Sequence, residues 1–93
     1  MTGDPGAYLV AFRLELKALI LSAADKDEPH GGLADDDILF GSESRLMLDS
    51  LDALQISMEI QKRYGIRLAD SKETRRALSS VAHLAEYLSA RRV

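Results

Sequence analysis

Apolar positions recur at helical spacing in several stretches of the chain. Tyr8, Phe12, Leu16, Leu19, Ile20 and Ala23 repeat every three or four residues, which predicts a first amphipathic helix. Asp4-Pro5 supplies its start, because Asp is a good N-cap and Pro at the first helical position loses no bond the helix would have made. The pattern breaks at residues 25–32, where proline, glycine and charge together mark a loop. From Asp25 to Asp49 the connection is long, and such loops are usually functional or partly structured. Leu33, Ile38, Leu39, Phe40, Leu46 and Leu48 run through it, so it is expected to pack back onto the helices.

A second helix is predicted from Asp49, with Asp52 three residues on as a relaxed capping box. Leu51, Leu54 and Met58 form one apolar row, Ile56, Ile60 and Tyr64 a neighbouring one, and Gly65 is a natural left-handed stop. Ile66 and Leu68 anchor the turn that follows. Asp70 and Glu73 are placed to cap a short third helix ending near Leu78. Ser80 then caps a fourth helix, with Val81, Leu84, Ala85 and Leu88 inward and Arg91 and Arg92 suited to its C-terminal dipole. Nothing alternates with period two, so no sheet is expected. The predicted class is all-α: three main helices, one short helix, and a long loop between the first and second.

Composition narrows the chemistry. The 93 residues are read as one domain, 46% hydrophobic and 29% charged, which suits a folded protein. With no cysteine, disulfides, thiolate metal sites and a cysteine nucleophile are excluded, so any thiol chemistry must arrive on an attached group. The N-terminus lacks a basic segment followed by an apolar one, and Arg13, Glu15 and Lys17 interrupt the longest apolar stretch. A cytoplasmic protein that does not insert into membranes is therefore expected. The net charge of −3 hides an uneven distribution. Residues 1–60 carry four basic and twelve acidic side chains, a balance of −8, whereas residues 61–93 carry eight basic and three acidic, a balance of +5. Such polarity suits charged partner surfaces, and equally solvated helix faces. Asp35, Asp36 and Asp37 lack the alternating oxygens and distal glutamate of a calcium loop and are read as a solvated turn or short helix start.

The segment Leu46-Met47-Leu48-Asp49-Ser50-Leu51-Asp52-Ala53-Leu54 resembles the phosphopantetheine attachment site of acyl carrier proteins, whose core is Asp-Ser-Leu-Asp. Alone, the tetrapeptide is weak evidence and reads first as ordinary helix-cap chemistry. Its context carries the resemblance: it follows a long loop, opens an amphipathic helix that closes with Tyr64-Gly65-Ile66, and precedes a short helix and a final one. That order is similar to the carrier pattern from Tyr8 to Leu88 and implies a four-helix carrier bundle. More narrowly, Phe40-Gly41-Ser42-Glu43-Ser44, residues 48–54, residues 61–66 and Glu73-Thr74-Arg75-Arg76 are similar to carriers of bacterial aryl polyene and xanthomonadin-type pigment clusters.

The resemblance implies that a separate phosphopantetheinyl transferase moves 4'-phosphopantetheine from coenzyme A to the Ser50 hydroxyl. The arm's thiol then carries acyl or polyketide chains as thioesters to a ketosynthase and other stand-alone, type II enzymes. A serine in the first helical turn presents its oxygen without burying backbone, and unpaired N–H groups and the helix dipole there favour an anion. Asp49 and Asp52 oppose that charge and are read as guides for the transferase or its magnesium; Leu51 lies beside the arm. Candidate enzyme contacts are Met47, Leu51, Gln55, Met58, Glu59 and Lys62. Met58 and Leu54 also read as core or pocket-lining residues, and Leu54, Met58, Ile60 and Leu84 as the walls of a cleft for the growing chain.

Two departures stand out. The glycine common two places before the motif aspartate is Met47, and the usually acidic lower helix carries Gln61-Lys62-Arg63, with Gln55 where an acid is common. Weaker association with a strongly basic synthase face is the expected result, pointing to a dedicated pathway. Catalysis by the chain itself is not expected: His30 lies in a loop and His83 in the first turn of the last helix, and neither is obviously beside Ser50. Rival readings are an aminoacyl or peptidyl carrier, differing in cargo, and a small helical interaction module with no prosthetic group. A nucleic-acid binder is disfavoured because Lys72, Arg75, Arg76, Arg91 and Arg92 are not interleaved with aromatics. A monomer is the default expectation.

Overall fold

The computed structural model describes residues 5–41, 43–68 and 71–91, with the side chains of 5–9 and 71 left aside. Four helices follow in order: α1 (Pro5–Ala23), α2 (Ser50–Tyr64), α3 (Ser71–Ala77) and α4 (Val81–Arg91). α1 packs on α2 and α4, and α3 closes the bundle against α2 and α4. The expected caps at Asp4 and Asp70, the side chain of Tyr8, and Arg92 lie outside the described residues.

One stripe of each helix builds the core. α1 contributes Phe12, Leu16, Leu19 and Ile20; α2 contributes Ala53, Ile56 and Ile60; α4 contributes Val81, Leu84, Ala85 and Leu88. Ala77, Leu78, Ile66 and Leu68 complete it from the short helix and the turn before it. Polar links lock the packed pairs. The Phe12 ring meets Tyr64 edge-on at 5.6 Å, and the Tyr64 hydroxyl donates to Glu15 over 2.7 Å, joining α1 to the end of α2. Tyr87 donates to Glu73, and Arg91 stacks on the Tyr87 ring at 3.7 Å while pairing with Glu73, joining α3 to α4. The Ser80 hydroxyl accepts the His83 N–H at 3.1 Å, so it caps α4 as expected.

The α1–α2 loop packs back onto the bundle, because Leu33, Leu39, Leu46 and Leu48 are all buried. Ile38 is not among them: it is half exposed, turned outward while Leu39 takes the inward place. The loop's backbone groups find local partners. A parallel bridge pairs Phe40 with Leu48, the Leu48 N–H donating to the Leu39 carbonyl. Arg45 donates to the carbonyls of His30 (2.9 Å) and Gly32 (2.8 Å) and to the Asp37 carboxylate, gathering three points of the loop around one guanidinium. Asp35 pairs with Lys17 at 2.8 Å and Arg13 at 3.2 Å on α1, and its carbonyl accepts the Ala82 N–H of α4 at 2.8 Å. The Asp35–Asp37 run is thus a turn whose first and last carboxylates hold cations of the chain itself.

Candidate functional site

The site is the junction where the loop becomes α2. Ser50 is the first residue of α2, and its side chain is exposed. Asp49 is the N-cap in extended backbone, φ −120°. Its carboxylate accepts the Asp52 N–H at 3.0 Å, and the Asp52 carboxylate accepts the Asp49 N–H at 3.0 Å, which makes the expected capping box reciprocal. Gly65, at φ 69°, ends the helix in the left-handed conformation and donates its N–H to the Gln61 carbonyl. Both ends of α2 are therefore fixed by local chemistry, which holds Ser50 at a defined point on the surface.

The cap also occupies part of the helix end. The amide groups at the start of α2 are not all vacant for a phosphate, because the Asp49 carboxylate accepts the Asp52 N–H. That hydrogen bond above all holds the Asp49 carboxyl below the usual carboxylate range, so it remains ionised beside Ser50.

Before the cap, Met47 has φ +48°, a left-handed backbone that L-residues with side chains rarely adopt. The buried Ser44 hydroxyl holds it there by accepting the N–H groups of Leu46 (3.0 Å) and Met47 (3.1 Å). Sequence reasoning assigned no role to Ser44 or Arg45, although these residues shape the approach to Ser50. A buried serine two or three residues before two amides is the only local signal, and it is common in ordinary turns.

Around Ser50 lies an apolar rim. Met47 is 63% exposed, Leu51 62%, Leu54 55% and Met58 59%. This overturns the reading of Leu54 and Met58 as core or cleft-lining residues. Ile60 and Leu84 are fully buried, while Leu54 and Met58 lie on the opposite face of α2, so the four do not line one cleft. The side with Ala53, Ile56 and Ile60 fills the interior, and the second apolar row is left to solvent. Of the remaining candidate contacts, Gln55 and Lys62 are exposed, whereas Glu59 is half-buried and turned to Lys62 (3.6 Å) and Arg63 (4.0 Å). His30 sits in the loop and His83 at the start of α4; among the described residues neither bonds to Ser50. No group of three or more potential ligands suits a metal ion among the described residues, and no described helix is long and apolar enough to cross a membrane.

Residues 15–88 match the family model described as phosphopantetheine attachment site, and the match spans α2 and both flanking segments. The chain belongs to this family. It is therefore a carrier domain, whose role is to bear 4'-phosphopantetheine and which is not itself catalytic. Modification by a transferase and visits to synthase enzymes follow from that membership. No curated protein or solved structure matches the carrier significantly.

Proposed function

We propose that Ser50 is the attachment residue and that the chain is an acyl carrier, tethering acyl or polyketide intermediates as thioesters and presenting them to separate type II enzymes in the cytoplasm. One observation carries this reading: Ser50 stands exposed on the first residue of a helix capped at both ends, with apolar Met47 and Leu51 beside it. The residues present fit the group. In the transfer, the Ser50 oxygen would bond to the phosphorus of the pantetheine half of coenzyme A, the pyrophosphate P–O bond to the nucleotide half would break with that half leaving, and the hydroxyl proton would pass to a base of the transferase. Asp49 and Asp52 each spend one carboxylate oxygen on the cap, leaving the other for the transferase or its magnesium. Once bound, the group supplies the thiol that this cysteine-free chain lacks.

Acyl rather than aminoacyl cargo is supported by the likeness of residues 40–44, 48–54, 61–66 and 73–76 to pigment-cluster carriers. The test is incubation with coenzyme A, magnesium and a broad-specificity phosphopantetheinyl transferase, read by intact mass. A gain of one phosphopantetheine is expected, lost in Ser50→Ala while the helical circular dichroism persists. No gain with any transferase would favour an interaction module instead.

A further inference from the structure

Resting on the carrier reading and its enzyme contacts on α2, we propose that the partner enzyme meets the C-terminal half of that helix with an acidic surface. At about 3.6 residues per turn, Ala53, Ile56 and Ile60 share the buried side of α2, and Leu51, Leu54, Gln55, Met58, Gln61 and Lys62 share the opposite one. All six of the latter are exposed. This face carries no carboxylate. The two acids of α2, Asp52 and Glu59, lie half-buried at its margins, the first held in the cap and the second between Lys62 and Arg63. What begins beside Ser50 as an apolar strip therefore ends in the Lys62 ammonium, whose side chain is 77% exposed.

The charge continues past the helix. Arg67, Lys72, Arg75 and Arg76 are exposed, and among the described residues none of them forms an ion pair. They follow α2 in the chain, and the helix that bears three of them, α3, packs against α2. These cations stand on a chain of net charge −3, so the polarity is local to this end. Asp36, Asp37, Glu43 and Asp49 precede Ser50 in the loop at the other end. A uniform polyanion reaching Ser50 would meet those carboxylates, whereas a protein can offer an apolar patch near the arm and acids further on. Twelve residues of rise put Lys62 about 18 Å along the axis from Ser50, so the partner's carboxylates belong at roughly that distance from the opening that admits the arm.

The experiment installs on Ser50 a pantetheine bearing a cysteine-reactive electrophile, verified by intact mass, and follows cross-linking to two condensing enzymes with cysteine nucleophiles. One has a channel mouth ringed by aspartate and glutamate, the other by lysine and arginine. The expected result is faster cross-linking to the acidic mouth, slowing as salt rises. Lys62→Glu/Arg63→Glu should cut that rate roughly tenfold and raise the rate with the basic mouth. Circular dichroism checks that the charge-reversed variant remains folded. Preference of the unaltered protein for the basic mouth, or equal rates with and without the reversal, would overturn the proposal. Binding to phosphatidylserine vesicles or duplex DNA that the same reversal abolishes would also overturn it, in favour of a lipid or nucleic-acid surface. Failure of the mass check would instead remove the carrier reading on which it rests.

Discussion

Met47 should be better replaced by glycine than by alanine, the reverse of the ordinary order. Its φ of +48° places an L-residue in the left-handed region, which costs about 1–2 kcal/mol relative to glycine. Alanine retains that strain; glycine removes it but gives the unfolded chain more freedom, a loss of about 0.4–1 kcal/mol. Both substitutions delete the same mostly exposed side chain, so the packing lost is nearly equal and drops out of the difference. Met47→Gly is therefore expected to be more stable than Met47→Ala by about 0.5–1 kcal/mol. In a chain of this size that separates their melting temperatures by about 2–8 °C. Gly65 provides the mirror control: φ is +69° and a Cβ would meet no atom within 4 Å, so Gly65→Ala isolates backbone strain and should destabilise by a similar amount. Thermal melts followed by far-ultraviolet circular dichroism read all three variants. If Met47→Ala proves as stable as Met47→Gly, the argument from backbone strain is refuted.

Ser44→Ala should cost about 1–3 kcal/mol in urea denaturation, because the buried Leu46 amide and the part-buried Met47 amide lose their shared acceptor. Leu39→Ala, at a fully buried loop position, should cost about 2–5 kcal/mol, and a loss below 1 kcal/mol would mean that the loop is not part of the core. Acid should destabilise the fold in a definite window. Asp35 is held below the ordinary carboxylate range first by the Lys17 hydrogen bond, Asp37 by the Ala34 N–H and then Arg45, and Asp49 by the Asp52 N–H. With native values below unfolded ones, their stabilisation is complete above about pH 4 and is lost as pH falls through the lowered native values. Melting temperatures measured down the pH scale should fall below about pH 4, and a flat profile to about pH 2 would contradict the assignment.

What could be read from the sequence was local. The start and stop of α2 depend on Asp49, Asp52 and Gly65 acting within a turn of each other, and the Ser80 cap of α4 is of the same kind. The inward stripe of α4 was legible for a related reason, since a short amphipathic helix has one apolar side. α2 offered two apolar rows, and residue type does not say which one faces the core. Only packing against α1 and α3 decides for Ile56 and Ile60, leaving Leu54 and Met58 outside. The loop's architecture was hidden because it has no period. Arg45 reaches carbonyls 13 and 15 residues away, and Asp35 joins α1 to α4 through two different groups. Met47 presented a departure from a family pattern, but its left-handed backbone follows from Ser44 closing the turn over it.

The central claim is that the arm is attached at Ser50, and the most direct measurement localises it. Digestion after Arg45 and Lys62 releases the peptide from Leu46 to Lys62, which contains two serines, Ser50 and Ser57. They differ in setting: Ser50 is exposed at the start of α2, whereas Ser57 is a half-buried residue whose hydroxyl donates to the Leu54 carbonyl at 2.8 Å. Fragmentation of this peptide from transferase-treated protein should place the phosphopantetheine on Ser50. Its appearance on Ser57, or on a serine of another peptide, would contradict the account.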